Sequence, residues 1–151
     1  MSTRALVVFV DGETEIAVAY QHGDGYPSWL GVKLCEYLKG KDIVNGISSP
    51  RDAGSPFNGI NDLAIRTLYA LKAGHSGPDM PGGLYLYPPR TRDMDEEFVY
   101  YVSERDGKPY VKVFDGAKNP LFEGSAAQVL RRCKRETAAA LLTLRKGSVT
   151  K

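Results

Sequence analysis

The residues best suited to chemistry lie in one stretch, Tyr20-Gln21-His22-Gly23-Asp24-Gly25-Tyr26-Pro27, which we call the corner. Glycine permits positive φ and proline fixes its own φ, so the chain is expected to turn sharply here. A histidine and a carboxylate two residues apart could bind a divalent ion or transfer protons. The alternative is structural, because an Asp in an Asp-Gly turn usually accepts backbone hydrogen bonds.

The elements beside the corner give it a second chemical role. The sequence after it predicts a helix over residues 29–39, capped by Ser28 and ended by Gly40. Free N–H groups at a helix start favour an anion, and Tyr26 or Trp29 could stack on a base. The competing interpretation is that this loop only connects a strand to a helix.

A second group of aromatic and basic residues lies in and just after a predicted strand at residues 84–87: Tyr85 and Tyr87 belong to the strand, and Arg90 and Arg92 follow it. Tyrosine is enriched at protein interfaces, and arginine beside it adds charge for a nucleotide or an acidic surface. Tyrosines on a half-buried strand are also ordinary sheet residues. The predicted binding residues of the chain are therefore His22, Asp24, Tyr26, Trp29, Tyr85, Tyr87, Arg90 and Arg92.

The corner and residues 84–89 each end an apolar strand, and each contains a tyrosine followed by a proline: Tyr26-Pro27 and Tyr87-Pro88. Proline cannot continue a central ladder, so we predict that both strand ends reach one rim of the sheet. That arrangement would bring Tyr26 and Tyr87 within reach of each other.

Catalytic and metal motifs are missing from the sequence. There is no Cys-x-x-Cys, His-x-x-x-His or His-Glu-x-x-His, and no Gly-x-Gly-x-x-Gly, Walker-type loop or Gly-x-Ser-x-Gly. We therefore predict no catalytic residue, no metal ligand and no cofactor, and favour a protein that is not an enzyme.

Composition predicts one globular domain over residues 1–151. The apolar fraction of 42% and charged fraction of 25% are ordinary for a soluble protein. No run of residues is long and apolar enough for a bilayer, and no signal-peptide pattern occurs, which favours a cytoplasmic protein. Cys35 and Cys133 are expected to be reduced and to lie in the core or at its boundary.

Positive charge is concentrated near the end of the chain. Residues 131–151 carry seven Lys or Arg and one acid, a net +6, so the first 130 residues sum to −4 for a total of +2. Such a segment could meet phosphates, but cations late in a helix also favour its dipole. We expect a solvated basic helix over about 126–146, capped by Ser125, with a frayed tail at 148–151. We expect no nucleic-acid partner.

Hydrophobic periodicity predicts the order β-β-α-α-β-β-β-α. Alternation gives a hairpin over 5–10 and 16–20, with an inner strand buried on both faces, and a second hairpin over 97–103 and 109–114. A further helix is expected over 59–73 with Asn58 as its cap, and residues 41–58 are expected to form a long loop. Hairpins with helices between them predict an α+β fold, an antiparallel-dominated sheet of about five strands packed with three helices.

The motifs together resemble a group of small phage, prophage and plasmid proteins. The resemblance covers roughly residues 3–114 and rests on Tyr20-x-His22-x-Asp24-Gly25-Tyr26-Pro27, Phe57-Asn58-Gly59 and Gly82-Gly83-Leu84-Tyr85-Leu86-Tyr87-Pro88. Those proteins mostly have no assigned activity, so the resemblance implies a mobile-element setting and supplies no catalytic residues. The chain from Ser125 onward matches least well.

These observations lead to three functional hypotheses. The first is a non-enzymatic accessory protein of a mobile element that inhibits a bacterial defence component by binding, as anti-CRISPR proteins do. The second is a small-molecule binder that sequesters a nucleotide signal, with phosphate at Ser28-Trp29 and charge from Arg90 and Arg92. The third is a metal-dependent hydrolase or nuclease that uses His22 and Asp24. No membrane partner is expected, and a homo-oligomer is left open.

Overall fold

The computed structural model describes residues 3–46, 56–73 and 83–136. Its main sheet consists of β1 (Ala5–Asp11), β2 (Thr14–Gln21), β5 (Leu84–Tyr87), β6 (Phe98–Arg105), β7 (Lys108–Asp115) and β8 (Pro120–Ser125). The six strands lie in the order β5-β2-β1-β6-β7-β8. Every neighbouring pair is antiparallel except β1 and β6, which are parallel.

The helices and a small second sheet complete the described part of the chain. A π-helical turn (Pro27–Gly31) leads directly into α1 (Val32–Leu38), and α2 spans Gly59–Ala73. Residues 126–136 form a third helix, α3. Two-residue strands β3 (Ile43–Val44) and β4 (Phe57–Asn58) pair in parallel.

Strand β1 is the centre of the sheet and is buried on both faces. Residues 5–9 have no solvent-exposed surface. One face of the sheet packs against all three helices through Ala5, Val7 and Phe9 of β1. The other face packs Leu6 and Val8 among aromatic side chains and Met94. The predicted inner strand is confirmed: residues 5–9 of β1 are all apolar, and their side chains alternate between the two cores.

The mixed α+β class and the mostly antiparallel sheet are confirmed, but the element order matches only roughly. The sheet has six strands instead of about five, because residues 120–125 form a full edge strand. Part of the predicted loop over 41–58 forms the β3–β4 pair. Residues 47–55 of that loop lie outside the described residues. So do the segment between α2 and β5 that contains His75, expected to be a solvated loop residue, and the predicted helix beyond residue 136.

Helix boundaries are confirmed where the local signals are strong. Helix α2 has the predicted limits, Gly59–Ala73. Ser125 caps α3 as predicted: its hydroxyl accepts the Gln128 N–H at 3.3 Å, and the Gln128 side chain accepts the Ser125 N–H at 2.9 Å. This reciprocal pair is a capping box. The amide oxygen of Asn58, predicted as the α2 cap, accepts the Gly46 N–H at 2.9 Å.

Candidate functional site

The corner is held to the sheet by backbone contacts at Gly25. The Gly25 N–H donates to the Thr3 carbonyl at 2.8 Å, and the buried Tyr100 hydroxyl donates to the Gly25 carbonyl at 2.7 Å. A Cβ at Gly25 would lie 2.6 Å from the Ala5 Cβ. Glycine is therefore required at this position because the chain passes directly against β1, and the corner is fixed in place.

The helix after the corner begins differently from the prediction. Tyr26 occupies the N-cap position and Pro27 the first turn, so the predicted capping role of Ser28 is wrong. The Tyr26 carbonyl accepts the N–H groups of Trp29 and Leu30, each at 3.0 Å. A proline suits the first helical position, because an N–H group there would have no intrahelical acceptor and its absence costs no hydrogen bond. The first turn is thus defined by proline and not by a side-chain cap.

The π-helical turn packs tightly on α3. A Cβ at Gly31 would lie 2.7 Å from the Cys133 sulfur and 3.3 Å from the Tyr100 ring. Cys133 and Cys35 are free and buried, as predicted. Burial raises the pKa of Cys133 to about 12 and raises the pKa of Cys35 further, with the neighbouring Cys133 as a second cause. Both thiols therefore stay protonated and act as core side chains.

This packing leaves a cleft beside the corner, which we call the corner cleft. It has a volume of about 440 Å³. Its walls come from three separate parts of the chain: Tyr26, Pro27 and Ser28 from the corner and the π-helical turn, Phe98, Leu121 and Phe122 from the sheet, and Arg132 and Glu136 from α3. The volume falls within the range of about 300–1,000 Å³ that is typical of ligand pockets.

The corner cleft combines apolar walls with a small number of charged groups. Tyr26 and Leu121 remain 36% and 40% exposed, so apolar surface is available at its mouth. The Arg132 guanidinium lies 5.4 Å from the centre of the Phe122 ring. Glu136 follows Arg132 by one helical turn and contributes the opposite charge. The arrangement can hold an aromatic or aliphatic group next to a charged or hydrogen-bonding one.

His22 and Asp24 lie outside the corner cleft. The ring nitrogen Nδ1 of His22 is 2.9 Å from the Tyr20 hydroxyl, and the His22 N–H donates to the Gly83 carbonyl at 2.7 Å. Asp24 is exposed and has a φ of 56°. Among the residues the structure describes, no three His, Cys, Asp or Glu side chains are grouped to hold a metal ion.

Tyr85 and Tyr87 join a separate aromatic cluster on the sheet. The Tyr20 ring is 6.4 Å from the Tyr85 ring and 6.1 Å from the Tyr87 ring, centre to centre. Aromatic pairs at such distances contribute packing energy, so this cluster has a structural role in covering the second face of the sheet.

The predicted common rim for Tyr26 and Tyr87 is wrong. Strand β5 is antiparallel to β2, with Gln21 opposite Leu84 and Val18 opposite Tyr87. The start of β5 therefore lies beside the corner, and its proline end lies at the opposite end of the sheet. Two antiparallel neighbours finish at opposite rims, which outweighs the similarity of their terminal sequences.

Arg90 and Arg92 gather around Glu15 at that opposite end. The Arg92 guanidinium forms an ion pair with the Glu15 carboxylate, and the Arg90 N–H donates to the same carboxylate at 2.7 Å. Burial alone would lower the pKa of Arg92, but its hydrogen bond to Glu15 and nearby charges raise that pKa overall. The Arg92 charge thus serves a local structural contact, far from the corner.

Trp29 is 43% exposed, with the Lys33 ammonium 4.3 Å from its ring centre, and it does not line the corner cleft. Of the eight predicted binding residues, the structure places Tyr26 alone in the cleft. Sequence reasoning missed the residues contributed by β6, β8 and α3. The signal for Arg132 was its place in the basic segment, which predicted only a solvated helix face.

Comparison with protein-family models, with curated proteins and with solved structures gives no match. Across residues 3–46, 56–73 and 83–136, no helix has the length and apolar character needed to cross a membrane.

Proposed function

We propose that this protein is a non-enzymatic accessory protein of a bacterial mobile element that inhibits a host defence component by binding it, in the manner of anti-CRISPR proteins. The observation that carries the binding role is the corner cleft, a concave apolar site with charged residues at one wall. The mobile-element setting comes from the resemblance of the corner and the β5 motif to phage, prophage and plasmid proteins.

A fixed cleft supports binding because little ordering is needed when a partner arrives. Gly25 is hydrogen-bonded on both sides, to Thr3 and to Tyr100, so the corner wall is already in position. Preorganisation lowers the entropic cost of association. The expected partner inserts an apolar or aromatic side chain between Tyr26 and Phe122, with a polar or acidic group facing Arg132.

Charge reversal on α3 tests this proposal with a matched control. Arg131 and Arg132 are adjacent and both exposed, but only Arg132 lines the corner cleft. A host defence complex is reconstituted, and its inhibition is measured with wild-type protein, Arg132→Glu and Arg131→Glu. Wild type and Arg131→Glu should inhibit equally, whereas Arg132→Glu should lose at least tenfold in affinity, about 1.4 kcal/mol. Equal loss from both variants would indicate a general charge effect and refute a cleft-mediated contact.

Nucleotide sequestration is the second candidate function, and the cleft changes how it would work. A base would stack on Tyr26, and the phosphate would meet Arg132, in place of the predicted Arg90 and Arg92 at the far end of the sheet. A bound nucleotide should raise the melting temperature by mass action. A thermal-shift screen of linear and cyclic nucleotides distinguishes the two functions: a hit lost in Arg132→Glu favours sequestration, and a screen without hits removes it.

The hydrolase hypothesis has the weakest support. His22 contacts Tyr20, and Asp24 is an exposed turn residue with positive φ. Its test is metal-dependent turnover of nucleic acids or nucleotides that is lost in His22→Ala. An inert wild-type protein would eliminate it.

A further inference from the structure

The two outer strands of the sheet differ in how they are protected. Strand β8 starts at Pro120, which has no N–H, carries Glu123 and pairs with β7 through a register shift. Proline, charge and irregular pairing are the usual means of blocking an edge. Strand β5 has no charged residue, and its Tyr85 and Leu86 side chains are 50% and 68% exposed. Among residues 3–46, 56–73 and 83–136, no strand pairs with the outer side of β5, so we call this side the open edge.

The register determines which backbone groups of β5 point away from the sheet. The Gly83 carbonyl accepts the His22 N–H at 2.7 Å, so Gly83 and every second residue after it face β2. Leu84 and Leu86 consequently direct their backbone groups outward. In agreement, the Leu84 carbonyl accepts the Lys72 ammonium at 3.2 Å. At the next outward position, Pro88 has no N–H to donate.

Lys72 and Pro88 thus restrict the open edge to a short window centred on Leu86. Within that window the Leu86 N–H and carbonyl form one outward-facing donor and acceptor pair. A longer foreign strand would gain few further hydrogen bonds here. The Leu84 carbonyl is already bonded to Lys72, the Pro88 carbonyl accepts the Thr91 hydroxyl, and the Leu84 N–H is the one further donor. The window suits a partner strand that also offers a single outward donor and acceptor pair.

Exposed apolar residues of α2 border this edge. The Lys72 contact with Leu84 brings the last turn of α2 against β5. Tyr69 precedes Lys72 by three residues and Ile65 precedes Tyr69 by four, so the three share one side of the helix. Tyr69 is 76% exposed and Ile65 is 64% exposed. A stripe of apolar surface therefore runs along α2 to the open edge.

The geometry points to a second copy of this chain as the occupant, with two β5 strands pairing antiparallel across a two-fold axis through Leu86. In this register Leu86 lies opposite Leu86, and Tyr85 of one copy lies opposite Tyr87 of the other. Residues directly opposite each other project to the same face of a sheet, so each of these pairs can pack side by side. Each Leu86 donates one hydrogen bond and accepts one. A two-fold axis makes the same short window sufficient for both copies.

Charge does not oppose this pairing. The Lys72 ammonium contacts β5 at the Leu84 carbonyl, two residues from the centre of the window. In the proposed register the two Leu84 residues are four positions apart along the strands, about 13 Å at roughly 3.3 Å per residue. That distance exceeds the Debye length of about 8 Å at physiological ionic strength. The two Lys72 charges would therefore repel each other weakly.

Single-cysteine cross-linking tests the register directly. In a hydrogen-bonded antiparallel pair the Cα atoms are about 5.5 Å apart, within the range of roughly 4.4–6.8 Å found for disulfides. Leu86→Cys should therefore form a disulfide dimer under mild oxidation. Tyr85→Cys alone should not, because its two copies are offset by two residues, whereas a mixture of Tyr85→Cys and Tyr87→Cys should. The native cysteines are buried and provide an internal control.

Sedimentation equilibrium tests the assembly without oxidation. Wild type should show a concentration-dependent dimer, and Leu86→Lys should stay monomeric because two charges would meet on the axis. Leu121→Lys on the opposite edge is the matched control and should dimerise like wild type. A wild type that is monomeric at every concentration, with no Leu86→Cys cross-link, would overturn the inference. Equal cross-linking of all three single-cysteine variants would overturn the register.

Discussion

The hydrogen bond from Tyr100 to Gly25 is the contact on which the corner depends most, and Tyr100→Phe removes it with little change in shape. The Tyr100 side chain is fully buried, and its hydroxyl lies 2.7 Å from the Gly25 carbonyl. Because the change leaves a desolvated carbonyl without this donor, the loss should exceed the net value of an ordinary hydrogen bond, which is about 1 kcal/mol. We expect the free energy of unfolding to fall by about 2 kcal/mol.

Urea unfolding followed by circular dichroism measures this change, and Tyr110→Phe is the matched control. The Tyr110 hydroxyl donates to Glu123 at 2.9 Å on the surface, where water can replace it. The control should therefore lower stability by less than about 0.5 kcal/mol. In a thermal melt, Tyr100→Phe should lower Tm by roughly 4–8 °C, at about 2–4 °C per kcal/mol for a chain of this size.

The same pair of variants connects stability to function. If Tyr100 fixes the corner, Tyr100→Phe should weaken binding in the corner cleft under conditions where the protein is still fully folded, and Tyr110→Phe should not. Equal unfolding free energies for Tyr100→Phe and Tyr110→Phe would refute the conclusion that the buried hydroxyl holds the corner in place.

Three further predictions concern packing, pH and thiol reactivity. Gly25→Ala should lower the free energy of unfolding by more than about 2 kcal/mol in urea titrations, since its new Cβ would overlap β1; an unchanged midpoint would contradict the close packing. The pKa of Asp115 is lowered from its usual value of 3.8 by hydrogen bonds, first from the backbone and then from the side chain of Asn119. The Asp115 carboxylate therefore stabilises the folded state above about pH 3.8, and this stabilisation is lost as the pH falls through the lower pKa of the folded state. Asp115→Asn should accordingly be less stable than wild type at pH 7 and approach it in acid, and a difference that persists below that pKa would refute the linkage. Cys35 and Cys133 should resist a thiol reagent in the native protein at pH 8 and react fully in denaturant, whereas rapid native labelling would show that they are accessible.

Elements defined by neighbouring residues could be predicted from the sequence. The limits of α2, the two hairpins and the capping role of Ser125 all depend on periodicity or on turn residues a few positions apart. Strand β8 was only weakly visible, because Pro120, Glu123 and Gly124 are poor strand formers. Those residues are nevertheless suitable at an edge, where a proline or a charge limits further pairing.

The candidate site could not be predicted in the same way, because it depends on contacts between distant segments. The walls of the corner cleft meet only after Phe122 and Arg132 are brought beside Tyr26 by the sheet order and by α3 packing on Gly31. Local patterns fix the hairpins, but the parallel pairing of β1 with β6 that joins them has no local signal. Without that pairing, the position of β8 relative to the corner is undetermined.

Sheet order also separates the two proposed surfaces, which makes them independent in experiments. The corner cleft includes Leu121 and Phe122 on β8, whereas the self-pairing window lies on β5, and these strands are the opposite edges of a six-stranded sheet. Neighbouring strands are about 4.8 Å apart, so the two edges are separated by roughly 24 Å. Mutations without shared contacts at such distances usually have additive effects. Leu86→Lys should therefore abolish self-association without affecting binding in the cleft. Leu121→Lys should weaken binding in the cleft without affecting self-association. A dimer formed through β5 would carry two clefts at its far ends, so that each copy could bind a partner without blocking the other.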